Sequence, residues 1–168
     1  YVVVAGRNHG SRVQMYRRDS TTGNCAVATN YAANSIKTWM VRHAQDPNGA
    51  APSINTLALP ATEPGSANVT YPFASGVATF NLVTTDVGKY TVFFKDNNSG
   101  FSDQPILGDS GTLIVRPFGF DLSVPGNPKG VTATGSVFRA AGQHFSANVR
   151  AVLWQAADDA NGDGVPDG

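Results

Sequence analysis

The densest chemistry in the chain is its last eleven residues, Asp158-Asp159-Ala160-Asn161-Gly162-Asp163-Gly164-Val165-Pro166-Asp167-Gly168, which hold four aspartates. From Asp159 the run reads D-x-N-x-D-G-x-x-D. Calcium takes about six to eight hard oxygen ligands, and alternate residues of a tight loop can aim side chains at one centre. The glycine at the sixth place permits the bend, and the seventh residue offers its carbonyl. On that logic Asp159, Asn161 and Asp163 supply side-chain oxygens, Val165 a backbone oxygen, and Asp167 closes the set. The expectation is a calcium ion that stiffens a loop. The run departs from an EF-hand, since no helices flank it and the distal glutamate position would fall beyond Gly168. It is closer to the calcium-stabilised loops of extracellular β proteins. The competing reading is a solvated acidic turn, because Asn, Asp and Gly favour turns for their own reasons.

A second run, Gly108-Asp109-Ser110-Gly111, matches the core of a serine-protease nucleophile signature. A nucleophilic serine needs a histidine base oriented by a carboxylate. His43 and several aspartates stand in a permissive order. However, Val41-Arg42-His43-Ala44-Gln45 lacks the alanine-rich, cysteine-following context, and no Gly-Pro continues from the serine. The chain is also too short for the two barrels that assemble such a site. A turn leading into the next strand is the expectation, and no catalytic residue is assigned. His9, His43 and His144 are isolated, with no spacing that suits zinc. Arg17-Arg18, Lys37 and Arg42 read as surface charges, and Trp39, Phe80, Tyr90, Phe93 and Trp154 as core residues. The lone Cys25 allows no internal disulfide; it is a buried thiol or half of a bridge to a cysteine outside this sequence. Nothing builds a phosphate-cradling loop or a paired-carboxylate site, so the chain is expected not to be an enzyme.

The elements that would position these residues are strands. Val77–Val83 alternates bulky residues behind Ser75-Gly76, and Lys89–Lys95 follows the Asp86-Val87-Gly88 turn. Gly111–Arg116 is a third apolar strand, stopped by Pro117. Arg12–Arg17, Ser35–Arg42, Ile54–Leu59 and Asn68–Phe73 read the same way, and Asn30–Ile36 could form a helical turn. The spacing and the Gly/Pro/Asn connections predict an all-β, immunoglobulin-like antiparallel sandwich. Asp86-Val87-Gly88-Lys89-Tyr90 fits the corner at which such domains turn a tyrosine hydroxyl back onto the backbone. The expected organisation is a sandwich over 1–116, a Pro/Gly-rich junction over 117–130, and a partial second β module over 131–168. In that module Val131–Phe138 and Phe145–Trp154 are the expected strands.

Composition narrows the class. The 168 residues carry 12 Lys+Arg and 12 Asp+Glu, and only 14% are charged, against roughly 25% in an average domain. Net neutrality argues against nucleic acid or an anionic membrane as partner. No apolar run approaches the ~20 residues that span a bilayer. At 41% hydrophobic residues a core can be filled. A polar, weakly charged surface fits an exported protein. Tyr1-Val2-Val3-Val4 has no initiator Met and no leader pattern, and the sequence stops inside its acidic motif, which suggests an excised internal piece.

Several runs resemble the bacterial MshQ-like proteins, associated with biogenesis of the mannose-sensitive haemagglutinin type IV pilus. These are Val115-Arg116-Pro117-Phe118-Gly119-Phe120, Phe138-Arg139-Ala140-Ala141-Gly142-Gln143-His144-Phe145, and Ala151–Gly168 with Trp154-Gln155 ahead of the aspartates. Val13-Gln14-Met15 leading to Cys25, Ala51-Pro52-Ser53-Ile54 and Ala61–Gly65 are similar in order and spacing. The resemblance implies an internal slice of a longer protein, exported to the surface or pilus of a Gram-negative bacterium. It brings no catalytic activity. The first functional reading is therefore a non-enzymatic structural or adhesive module, partnered by neighbouring Ig-like modules or by pilus and surface proteins. The second is a filament subunit that self-associates by strand complementation, through Tyr1–Ala5 or the 131–154 segment.

Overall fold

The computed structural model describes residues 1–32, 34–46, 48–97, 104–127 and 135–167. Its strands are β1 (Val2–Val4), β2 (Asn8–Gln14), β3 (Tyr16–Arg18), β4 (Cys25–Val27), β5 (Asn34–Arg42), β6 (Ser53–Ile54), β7 (Leu57–Ala58), β8 (Val69–Tyr71), β9 (Val77–Val83), β10 (Gly88–Asp96), β11 (Ile106–Asp109), β12 (Leu113–Arg116), β13 (Gly119–Ser123) and β14 (Asn148–Val152). A single 3-10 turn covers Ala156–Asp158. One sheet runs β1-β12-β10-β5-β8, with β11 also on β10; the other runs β2-β9-β6-β7. The two form the expected Ig-like sandwich. The pairings are antiparallel except β1 on β12, which is parallel and aligns Val4 with Arg116.

The period-2 pattern explains why β5 and β10 form the central ladder. Ile36, Thr38 and Met40 of β5 and Tyr90, Val92 and Asp96 of β10 point inward and are buried. Ile54, Ala78 and Leu82 close on them from the second sheet. Tyr71 plugs the middle, fully buried, its ring 5.4 Å from Phe80 and 6.0 Å from Phe94. Each large apolar side chain buried this way contributes about 1.5–3 kcal/mol. Several buried polar atoms are paired in small sets. Tyr71 Oη lies 3.1 Å from Thr38 Oγ1. Asp96 accepts a 2.6 Å bond from the Tyr31 hydroxyl and one of 3.1 Å from Asn34 Nδ2. Burial, and then the bond to Asp96, pushes the Tyr31 pKa up to about 12.

The structure differs from the sequence reading in several of its strands and at Arg42. Asn34–Ile36, expected within a helical turn over 30–36, instead open β5. Ile54–Leu59 is not one strand but two short ones folded over Asn55-Thr56, both at positive φ. Asn81 takes both ends of Asn55 there, and so holds a turn that Thr56 alone disfavours. The junction over 117–130 contains β13, which pairs with β14 from Gly119↔Val152 to Ser123↔Asn148. Of Val131–Phe138, residues 131–134 lie outside the described residues, and 135–138 form no strand. Arg42 is not a surface charge. Its side chain is shielded, with the guanidinium 5.6 Å from the Tyr90 ring centre and 3.5 Å from Asp46.

That arginine belongs to the corner the sequence singled out. Tyr90 is buried, which raises its pKa to about 12. Its hydroxyl lies beside the Thr84 hydroxyl without a well-directed bond, where the sequence pattern anticipated a backbone partner. Carboxylates do the turning instead. Asp46 accepts the Lys89 N–H at 2.6 Å, and Asp86 accepts the Ala50 N–H at 2.9 Å. Gly88 has φ +146, and a Cβ there would run into the Asp46 carboxylate. Gly88→Ala is therefore expected to cost about 1–3 kcal/mol. A thermal melt followed by circular dichroism should show a midpoint lower by several degrees.

Candidate functional site at the acidic loop

The acidic loop is reached through β14, whose end is tied to the first sheet. Trp154 N–H makes that tie, donating to Ala5 O at 2.9 Å, while Phe118 N–H donates to Val152 O at 2.9 Å and extends the β13–β14 ladder. Asp167 N–H then closes on Asp158 O at 2.8 Å, and Ala160 N–H donates to the Asp167 carboxylate at 2.6 Å. Inside that closure Asn161 Oδ1 accepts the Asp163 N–H, and Asp163 Oδ1 accepts the Val165 N–H, at 3.0 and 2.8 Å. Consecutive Asx turns of this kind explain the Asn/Asp spacing by local bonding alone.

Asp159 points the other way, into the protein, and its side chain is fully shielded from solvent. It accepts the Trp154 indole N–H at 2.5 Å and the Gly164 N–H at 3.1 and 3.2 Å on its two oxygens. The Arg7 guanidinium stands 4.0 Å away. The Trp154 bond, with smaller help from Gly164 and Arg7, holds its carboxyl below the usual 3.8. Two loop carbonyls also face arginine. Arg7 Nη2 donates to Gly162 O at 2.5 Å, and Arg116 Nη2 donates to Gly164 O at 2.6 Å.

A calcium shell needs the oxygens of residues 159, 161, 163, 165 and 167 on one centre. The loop brings the five residues together in one turn but does not aim them together. Asp159 is committed to Trp154, Gly164 and Arg7, whereas Asn161, Asp163 and Asp167 bond to the loop's own backbone. Among the described residues no three His, Cys, Asp or Glu side chains gather for a metal. The side chains as placed do not fit the ion. Sequence reasoning missed Arg7, which carries no local signal, and named Arg116 only as the end of an expected strand and within a resemblance. It placed Trp154 in the core, whereas the indole caps the loop carboxylate.

The other singled-out residues have plain surroundings. Ser110 Oγ accepts the Val92 N–H at 3.0 Å and donates to Gly111 O at 2.8 Å, at the break between β11 and β12. His9 Nε2 sits 3.2 and 3.1 Å from the Val4 backbone N and O, and His43 and His144 are exposed. Cys25 is exposed rather than buried. Trp39 and Phe93 are not core residues; they stack at 5.4 Å on the outer face of the first sheet.

The lowered Asp159 pKa fixes a pH dependence. Its ionised form supports the fold above the ordinary value of 3.8, and that support is lost as pH falls through the lowered value. In a Trp39→Phe background, Trp154 fluorescence should therefore change below pH 3.8. Asp159→Asn should remove that acid step while the chain stays folded at neutral pH.

No helix among the described residues is long and apolar enough to cross a membrane. Searches of curated proteins and of solved structures find no match to this chain. Family models do match: the first Ig-like domain of DUF6701, a domain of unknown function, over residues 2–109, and the second DUF6701 domain over residues 116–167. Together the two cover β1 to β11 of the sandwich and the β13–β14 unit with its loop, and the chain belongs to the DUF6701 family.

Proposed function

We propose that this chain is a non-enzymatic structural module of an exported bacterial protein at the cell surface or pilus, partnered by neighbouring Ig-like modules. The observation that carries the reading is the way the sandwich and the β13–β14 unit are joined. Trp154, Gly162 and Gly164 are tied by backbone or charged hydrogen bonds to Ala5, Arg7 and Arg116 of the sandwich. Within the unit, Pro166 packs over Gly119, so closely that a Cβ there would lie 2.5 Å from its ring, which holds the bonded loop against β13. A joint with that many bonds transmits orientation, which suits a spacer in an array better than a hinge. The surface or pilus location rests on the MshQ-like resemblance. The non-catalytic part rests on Ser110, whose hydroxyl is bonded only to backbone.

A second reading, strand exchange between copies in a filament, is favoured by one feature. A groove of about 760 Å3 opens between β2 and β11, with Ile36, Phe80, Leu82, Val92 and Phe94 along its floor. Among the described residues β2 pairs only with β9 and β11 only with β10, so both rims offer free backbone groups. An extended strand from a second copy is the occupant on this reading.

Size-exclusion chromatography with light scattering separates the two. The spacer reading expects a single species near 17.6 kDa; ordered polymers by electron microscopy would establish the filament instead. A fluorophosphonate probe should leave Ser110 unlabelled, and labelling would overturn the non-enzymatic assignment.

A further inference from the structure

We infer that the cations of the acidic loop are supplied by the chain itself. Arg7 and Arg116 occupy the role expected of calcium, and they lock the β13–β14 unit onto the sandwich without a metal. The loop does converge oxygen atoms on positive charge. The Asp159 carboxylate and the Gly162 carbonyl face Arg7, and the Gly164 carbonyl faces Arg116. The register of the parallel pair delivers both arginines to one end of the sandwich. Val4 stands opposite Arg116, Ala5 N–H donates to Arg116 O at 2.9 Å, and Arg7 N–H turns back to Val4 O at 3.3 Å.

The Arg116 guanidinium is held in place by more than the loop. Arg116 Nη1 donates to Pro117 O and Phe118 O at 3.0 and 3.2 Å, so one side chain bridges the entry to β13 and the far loop. A planar fork with several donors can do this where a compact ammonium could not. The loop glycines make the room. At Gly164 (φ +79) a Cβ would stand 2.8 Å from Arg7 Nη1 and 3.2 Å from Val4 Cγ2. A divalent ion among these oxygens would have to displace the guanidinium groups or sit against their charge. The motif therefore keeps the spacing of a calcium loop while its buried carboxylate serves an internal ion pair. Because arginine stays protonated at every relevant pH, the lock is independent of calcium supply.

This inference does not rest on the surface-module reading and can be tested apart from it. Thermal melts of the full chain should give the same midpoint in EDTA and in millimolar calcium chloride. In limited proteolysis with an Asp-directed protease, Arg7→Gln with Arg116→Gln should speed cleavage within 158–167 by tenfold or more. Calcium that raises the midpoint by several degrees would overturn the inference, as would a double variant whose loop stays as protected as in the native chain. Should that double variant fail to fold, Asp163→Asn with Asp167→Asn decides. Both side chains retain an acceptor for the loop backbone, so unchanged protection in EDTA and in calcium supports the arginine lock. Protection that depends on calcium in the native chain and vanishes in this pair refutes it.

Discussion

The pairing on which the rest of the molecule depends is the short parallel ladder of β1 with β12. It is only three residues long, from Val2↔Ile114 to Val4↔Arg116. Parallel strands of one sheet need a crossover, and here that crossover is nearly the whole sandwich, residues 5 to 112. Closing it places the turn after β1 next to the end of β12. The bonds that join the two parts of the chain then collect at that end: the Ala5 carbonyl that receives Trp154, and the Arg7 and Arg116 guanidinium groups. A one-residue slip in that ladder would turn Val4 outward and move Arg116 off the loop.

The interior is polar in a few places, and each has a structural reason. Asp96 at the end of β10 ties Tyr31 and Asn34, which fixes the chain where it enters β5. Arg42 at the end of β5 is sandwiched between the Tyr90 ring and Asp46, and its Nη2 donates to the Ala50 carbonyl at 2.7 Å. These two sets staple opposite ends of the β5–β10 ladder. Paired polar groups such as the Asp96 set specify one arrangement of a core that apolar packing alone would define less sharply. The aromatic cluster around Tyr71 fills the space between them.

The apolar surface is distributed unevenly. Phe120, Leu122 and Val149 share one face of the β13–β14 ribbon and are exposed. The opposite face is polar and carries the Asp121–Arg150 pair at 2.6 Å. A two-stranded ribbon is marginal by itself, so its order leans on the arginine-held loop and on the Trp154 and Phe118 bonds. The neutral charge total thus covers two different arrangements. Glu63 bridges Lys37 and Lys95 on the outside of the sandwich, where solvent screens the interaction, whereas Asp159 is held inside by donors.

Local sequence was enough for the class of fold and for most of its strands. Alternation in Val77–Val83, Lys89–Lys95 and Ser35–Arg42 reflects which face is buried, and that information sits in consecutive residues. The Asp86–Tyr90 corner was legible too, because a glycine at φ +146 has no common substitute. What lay beyond the sequence was every partner supplied from a distance. Gly119–Ser123 reads as a proline- and glycine-rich connector until β14, 29 residues further on from Asp121 to Arg150, gives it a ladder. The acidic loop reads as a calcium site because spacing records which side chains could converge, and not which way they turn. Their direction was decided by tertiary structure: the parallel β1–β12 register carries two arginines to the loop, and a buried carboxylate turns toward the donors that reach it.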